Sequence, residues 1–85
     1  MTTALTTLNS VNLGALGSLV KTIQDEPAKG DTTWKASTTW DGGFRTTTTI
    51  RDFTPYATDE PAGLGGDDSA PNPVEQLIGA LGACL

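Results

Sequence analysis

The four residues Asn72-Pro73-Val74-Glu75 limit what this chain can become more than any other run in it. Asn is a strong N-cap residue, and Pro fits the next position, where the helical N–H has no intrahelical partner to lose. Glu75 then stands third in the helix, where a carboxylate can return a hydrogen bond to the cap and meet the positive end of the helix dipole. The pattern predicts a helix over 72–85. Leu77, Leu81 and Leu85 make one stripe, with Val74, Ile78 and Cys84 beside it, and Gly79, Ala80, Gly82 and Ala83 leave the rest small. Each glycine weakens a helix by about 1 kcal/mol relative to alanine, so this helix needs a close neighbour. The small side chains allow one.

Residues 59–71 ahead of it read as a long loop of Gly, Asp and Pro. Gly63, Gly65 and Gly66 form a Gly-x-Gly-Gly run able to cradle an anion, but a phosphate loop follows such a run with a lysine or a helix start. Asp67 and Asp68 follow instead, and they repel phosphate. Further upstream, Leu13, Leu16, Val20 and Ile23 recur at helical spacing, so a packing helix is expected over 10–26, capped by Asn12 or Ser10 and closed by Pro27 and Gly30. Met1 to Asn9 is threonine-rich and reads as a frayed end.

The region 32–58 reads as sheet. Trp34, Ala36, Thr38 and Trp40 alternate with Thr33, Lys35, Ser37 and Thr39, as in a half-buried strand. Asp41-Gly42-Gly43 supplies a tight hairpin. A return strand over Phe44 to Phe53 places Phe44, Thr46, Thr48 and Ile50 on one face and Arg45, Thr47, Thr49 and Arg51 on the other. The second face suits solvent or an anionic group. Thr54 to Thr58 is a short third strand, confined to an edge or a strand start by Pro55.

Composition narrows the function. With 85 residues there is room for one small domain, which buries only about 60–65% of its unfolded surface. Five basic against ten acidic residues, net charge -5, argue against nucleic acid as a partner. The single cysteine permits no internal disulfide, and the lack of histidine removes the commonest metal ligand and the base for hydrolytic or acyl-transfer chemistry. No metal and no cofactor are expected. The first residues lack the pattern of a signal peptide, and no run approaches the roughly 18 apolar residues of a membrane span. Leu81-Gly82-Ala83-Cys84 has the form of a lipoprotein cleavage box, but at the wrong end of the chain. Cytoplasmic residence without membrane attachment is the expectation.

Asp59-Glu60-Pro61, Leu64-Gly65-Gly66, Pro71-Asn72-Pro73-Val74-Glu75, Leu77 and Ala80-Leu81-Gly82-Ala83-Cys84-Leu85 together resemble the OsmC/Ohr family, which includes organic hydroperoxide reductases. The match is dense over about a third of the chain, and the Trp40 to Ile50 hairpin suits the family's first sheet element. The resemblance implies an α+β fold: an N-terminal helix, an antiparallel hairpin or meander, then the start of a central helix. It makes residues 1–85 the N-terminal portion of a single OsmC-like domain. It also implies an intertwined homodimer, or a complementing C-terminal segment, with sites at the interface.

For activity the resemblance implies a thiol-dependent peroxidase that reduces organic hydroperoxides in the response to oxidative stress and is reset by an external dithiol. Cys84 matches the position that attacks the peroxide. A thiolate is the nucleophile and needs positive charge beside it; Arg45 is the first candidate and Arg51 the second. Glu75 stands either as a helper of the thiol or as a helix cap, since the family's glutamate lies ten residues before the cysteine, where this chain has Val74. No resolving cysteine is present in the 85 residues, which suggests a chain continued by another segment. The alternative is a non-catalytic OsmC-like dimer that binds a small apolar or acidic ligand, with Cys84 as a small apolar residue in the pocket wall.

Overall fold

The computed structural model describes residues 7–85, so the expectation of a frayed end lies, for residues 1–6, outside the described residues. The chain forms two compact units, residues 1–34 and 35–85. The described residues form a mixed α+β protein with two α-helices and two small antiparallel sheets.

In the first unit, β1 (Thr7–Leu8) pairs antiparallel with β2 (Val11–Asn12) through Asn9 and Ser10, both at positive φ of 51° and 66°. Two consecutive left-handed residues are what a two-residue hairpin turn needs. This hairpin replaces the frayed end expected at 7–9. Asn12 ends β2 and also caps α1 (Leu13–Asp25), its Oδ1 accepting from the Ala15 N–H at 2.9 Å. Asn12 therefore takes the role that sequence shared between it and Ser10. At the far end the Glu26 N–H reaches the Thr22 carbonyl at 2.8 Å, and a 3-10 turn over Pro27–Gly30 stops the helix where proline and glycine predicted.

The second unit begins with a three-stranded meander: β3 (Ser37–Gly42), β4 (Arg45–Thr49) and β5 (Tyr56–Thr58), in that spatial order. Threonines, β-branched and suited to a pleated surface, stack across it, with Thr38 opposite Thr48 and Thr46 opposite Thr58. Gly42 and Gly43 turn the hairpin at φ of 106° and 58°, after a bulge between Trp40 and Gly42. Both strands are shorter than the alternation predicted. Ser37 pairs with Thr49, so extending β3 back to Thr32 would require β4 to run on past Thr49. It does not, because Ile50 to Phe53 closes a turn in which the Phe53 N–H donates to the Ile50 carbonyl at 3.1 Å and Arg51 adopts φ 46°. Arg51 accordingly leaves the strand face it was expected to share with Arg45. Its guanidinium lies over the Phe53 ring, 4.8 Å from the centroid.

Residues 59–71 form the expected loop, containing a 3-10 turn at Ala62–Leu64, and α2 (Pro73–Cys84) follows. The buried centre of this unit is polar: Thr48, Thr58 and Asp59. Among the described residues no apolar side chain is buried, and Leu77, Ile78 and Leu81 of α2 are all more than half exposed. Burial of apolar surface is the main favourable term in folding, and this unit still has that surface to bury. Among the described residues no helix is long and apolar enough to cross a membrane.

Candidate functional site

Two places in the second unit bring side chains together with chemical consequence. The first is a cleft of about 960 Å³ between α2 and one face of the meander. Thr38, Thr46, Thr48 and Thr58 line its sheet side, and Gln76, Leu77, Gly79 and Ala80 line its helix side. The threonine hydroxyls are joined in cross-strand pairs, Thr38 with Thr48 at 2.8 Å and Thr46 with Thr58. Each pair uses one hydroxyl donor and leaves the accepting hydroxyl its own O–H, so the wall combines threonine methyl groups with a few remaining polar handles. The volume is at the upper end of the range for small-molecule pockets.

The second place is the loop itself. The Asp59 carboxylate is fully buried and accepts four hydrogen bonds. The Glu60 N–H reaches one oxygen at 2.7 Å. The other oxygen takes the Ser69 hydroxyl at 2.6 Å and the N–H groups of Ser69 and Asp67 at 3.1 and 3.3 Å. Donors of this kind favour the charged form. The Ser69 hydroxyl, with the Glu60 N–H next, holds the carboxyl at about 2 against an ordinary 3.8, although burial acts in the opposite direction. The Asp59 N–H donates to the Pro71 carbonyl at 3.1 Å, and the Asp68 N–H to the Glu60 carbonyl at 3.0 Å, so the loop is tied across its width. Gly66 sits where a side chain has no room: a Cβ there would lie 2.0 Å from the Glu60 carbonyl oxygen.

The residues singled out in sequence fall at separate points around these features. Glu75 caps α2: its Oε1 accepts from the Asn72 N–H at 3.0 Å while Asn72 Oδ1 accepts from the Glu75 N–H at 2.8 Å, a complete capping box. Cys84 is the last residue of the helix and is exposed. Nine residues of α-helix correspond to about 14 Å of rise and two and a half turns, so Glu75 and Cys84 emerge from opposite sides and opposite ends of α2. Within one chain Glu75 therefore stands as the cap of α2 and not beside the Cys84 thiol. Cys84 continues the Gln76–Ala80 row at i+4 spacing, one turn past the last residue lining the cleft.

Arg45 does not adjoin Cys84 through any hydrogen bond; its Nη1 donates to Asp67 Oδ2 at 2.5 Å, both side chains being substantially exposed. It lies on the strand face opposite Thr46 and Thr48, and hence away from the cleft. The second aspartate-bearing end of the loop, which disfavoured phosphate in the sequence, thus has a partner on the sheet. Among the described residues no cluster of three or more acidic, cysteine or histidine side chains is placed to hold a metal ion.

Sequence reasoning missed Asp59 as a structural centre. The only signal was its place in the Asp59-Glu60-Pro61 motif, which carries no indication that Ser69, ten residues on, will bond to it. No family model matches the chain, and no curated protein matches it.

Proposed function

We propose that this chain is the N-terminal portion of an OsmC-like thiol-dependent peroxidase, acting on organic hydroperoxides in the cytoplasm through Cys84. The observation that carries the reading is the exposed Cys84 at the end of a helix whose start is built from the same motif residues that resemble the family. In the reaction the Cys84 thiolate attacks the terminal peroxide oxygen. The S–O bond forms as the O–O bond breaks, the alkoxide leaves and takes up a proton as the alcohol, and sulfur is oxidised to the sulfenic acid. An external dithiol then displaces water to give a mixed disulfide, and its second thiol releases Cys84 and leaves with the disulfide.

The thiolate needs a neighbouring cation. Since Arg45 lies on the strand face away from the cleft in its own chain, this reading has Arg45 contributed by a second copy at a homodimer interface, exchanging its exposed pairing with Asp67, or the cation supplied by a complementing C-terminal segment. The unburied apolar side chains of α2 support association of that kind. Neither metal nor cofactor has a part in the scheme.

The test is consumption of cumene hydroperoxide by the protein with dithiothreitol as reductant. The wild type should turn over, and Cys84→Ser should reduce the rate to background. Turnover persisting in Cys84→Ser overturns the assignment.

One observation favours a second reading, a non-catalytic OsmC-like dimer that binds a small apolar or acidic ligand, and of the two it favours the apolar one. The cleft of about 960 Å³ is lined by paired threonines and by Leu77, Ile50 and Ala80; Cys84, expected in the pocket wall on this reading, is not among its lining residues and stands one turn beyond Ala80. A wild type that forms no sulfenate with hydroperoxide, yet gains thermal stability with a small apolar ligand, supports this reading over the first.

A further inference from the structure

We propose that Asp59 is a positioning residue, whose carboxylate fixes the start of α2 against the end of β5 and so sets the presentation of Cys84; the functional half of this statement rests on the peroxidase reading above. Asp59 directly follows Thr58, the last residue of β5, and its N–H bonds the carbonyl of Pro71, the residue before the N-cap of α2. Strand end and helix start are therefore joined at one residue, with the whole loop strung between them. The carboxylate completes the junction by taking both nitrogen and hydroxyl donors from Ser69, two residues before Pro71.

The chemistry of the junction specifies a carboxylate. Four donors converge on it, three of them backbone N–H groups that cannot accept, and its own two oxygens divide them one and three. An asparagine can turn its oxygen toward the three donors around Ser69, but its NH2 then faces the Glu60 N–H, donor against donor. Rotating the amide moves the conflict to the other side. Size and shape are unchanged in that substitution, so its effect isolates the charge and the acceptor pattern. Buried polar groups left facing like groups carry the full cost of desolvation, and the loop must open to relieve it.

The experiment compares the full chain with Asp59→Asn, Ser69→Ala and Ser69→Thr. Two second-order rates are measured for the Cys84 thiol, with cumene hydroperoxide and with iodoacetamide. Iodoacetamide alkylates the thiolate and so reports the exposure and ionisation of Cys84, without the positioning that a peroxide requires. Asp59→Asn is expected to slow the peroxide reaction by about tenfold, the scale of a lost hydrogen bond to a charged group, while the iodoacetamide rate and the far-UV circular dichroism hold. Ser69→Ala should fall between, and Ser69→Thr, which keeps the hydroxyl, should restore most of the rate. An Asp59→Asn rate equal to wild type overturns the proposal, and so does a parallel fall in both rates and in helicity, which marks general unfolding. Should Asp59→Asn fail to fold, the contrast between Ser69→Ala and Ser69→Thr decides, and equal peroxide rates in those two overturn it.

A wild type inert to hydroperoxide overturns the peroxidase reading and leaves the positioning to amide hydrogen exchange. Exchange at Glu75 and Gln76 should then rise by about tenfold in Asp59→Asn, with β3 and β4 unchanged, and equal exchange in the two proteins overturns the positioning.

Discussion

At the scale of single residues, Asp59 is the group whose ionisation is most firmly built into the fold. Its carboxyl is lowered to about 2 in the folded chain against 3.8 ordinarily. The unfolded chain therefore binds this proton more readily than the folded one, so between those values stability rises with pH. The contribution is fully present above the ordinary carboxyl range and is lost as pH falls from about 4 through about 2. Thermal midpoints followed by circular dichroism should accordingly fall on acidification over that range in the wild type. The difference from Asp59→Asn should shrink over the same interval, and a difference independent of pH would show that the carboxylate is not the cause.

Little of this was legible in the residues. Asp59 looked like one acidic member of a solvated loop, and its donors come from positions spread over ten residues that only the folded loop gathers. Arg51 was similarly opaque. Threonines on either side argued for an unbroken strand, while the turn that removed it runs from Ile50 to Phe53 with Arg51 itself in the left-handed region, which few arginines adopt. Arg45 was placed correctly on its strand face, but an aspartate 22 residues away claimed its guanidinium. A surface pair of that kind contributes about 0–1 kcal/mol, which leaves Arg45 available to a stronger partner.

At the scale of elements, α2 was the most legible part of the chain because its start is encoded within four residues. Asn72 and Glu75 satisfy each other's backbone donors as the local spacing required. Replacing Asn72 with alanine should cost about 1 kcal/mol of stability, readable as a lower midpoint in urea. Glu75→Gln keeps an acceptor for the Asn72 N–H and gives up mainly the charge at the helix end, about 0.3–1 kcal/mol. If Glu75 is a cap and not a catalyst, that variant should keep most of its peroxide rate; a loss to background would return Glu75 to the chemistry. The strand faces were legible too. Thr46 and Thr48 share one side of β4 as alternation predicted, the register adds Thr38 to that side, and it is that side which faces the cleft. The N-terminal hairpin escaped notice since each of its strands has two residues, too few for any alternation to register.

At the scale of the molecule, the outstanding property is the apolar surface that stays in contact with solvent. Trp40 is 75% exposed and Leu77 is 69% exposed, and no described apolar side chain is buried. A chain in this condition gains stability from anything that covers those side chains in the folded state. Self-association follows as the expectation of the OsmC-like reading. The thermal midpoint should rise with protein concentration, and sedimentation should report a dimer at high concentration. A monomer with a midpoint independent of concentration would remove the homodimer from the proposal.

The junction at Asp59 can also be viewed as recognition. The loop presents four converging donors, which is how proteins bind carboxylates from solution, yet the occupant is part of the same chain. A ligand tethered over so short a span acts at an effective concentration on the order of millimolar or higher. Free acetate or formate at lower concentration is outcompeted before it can enter. The loop is a receptor that carries its own ligand.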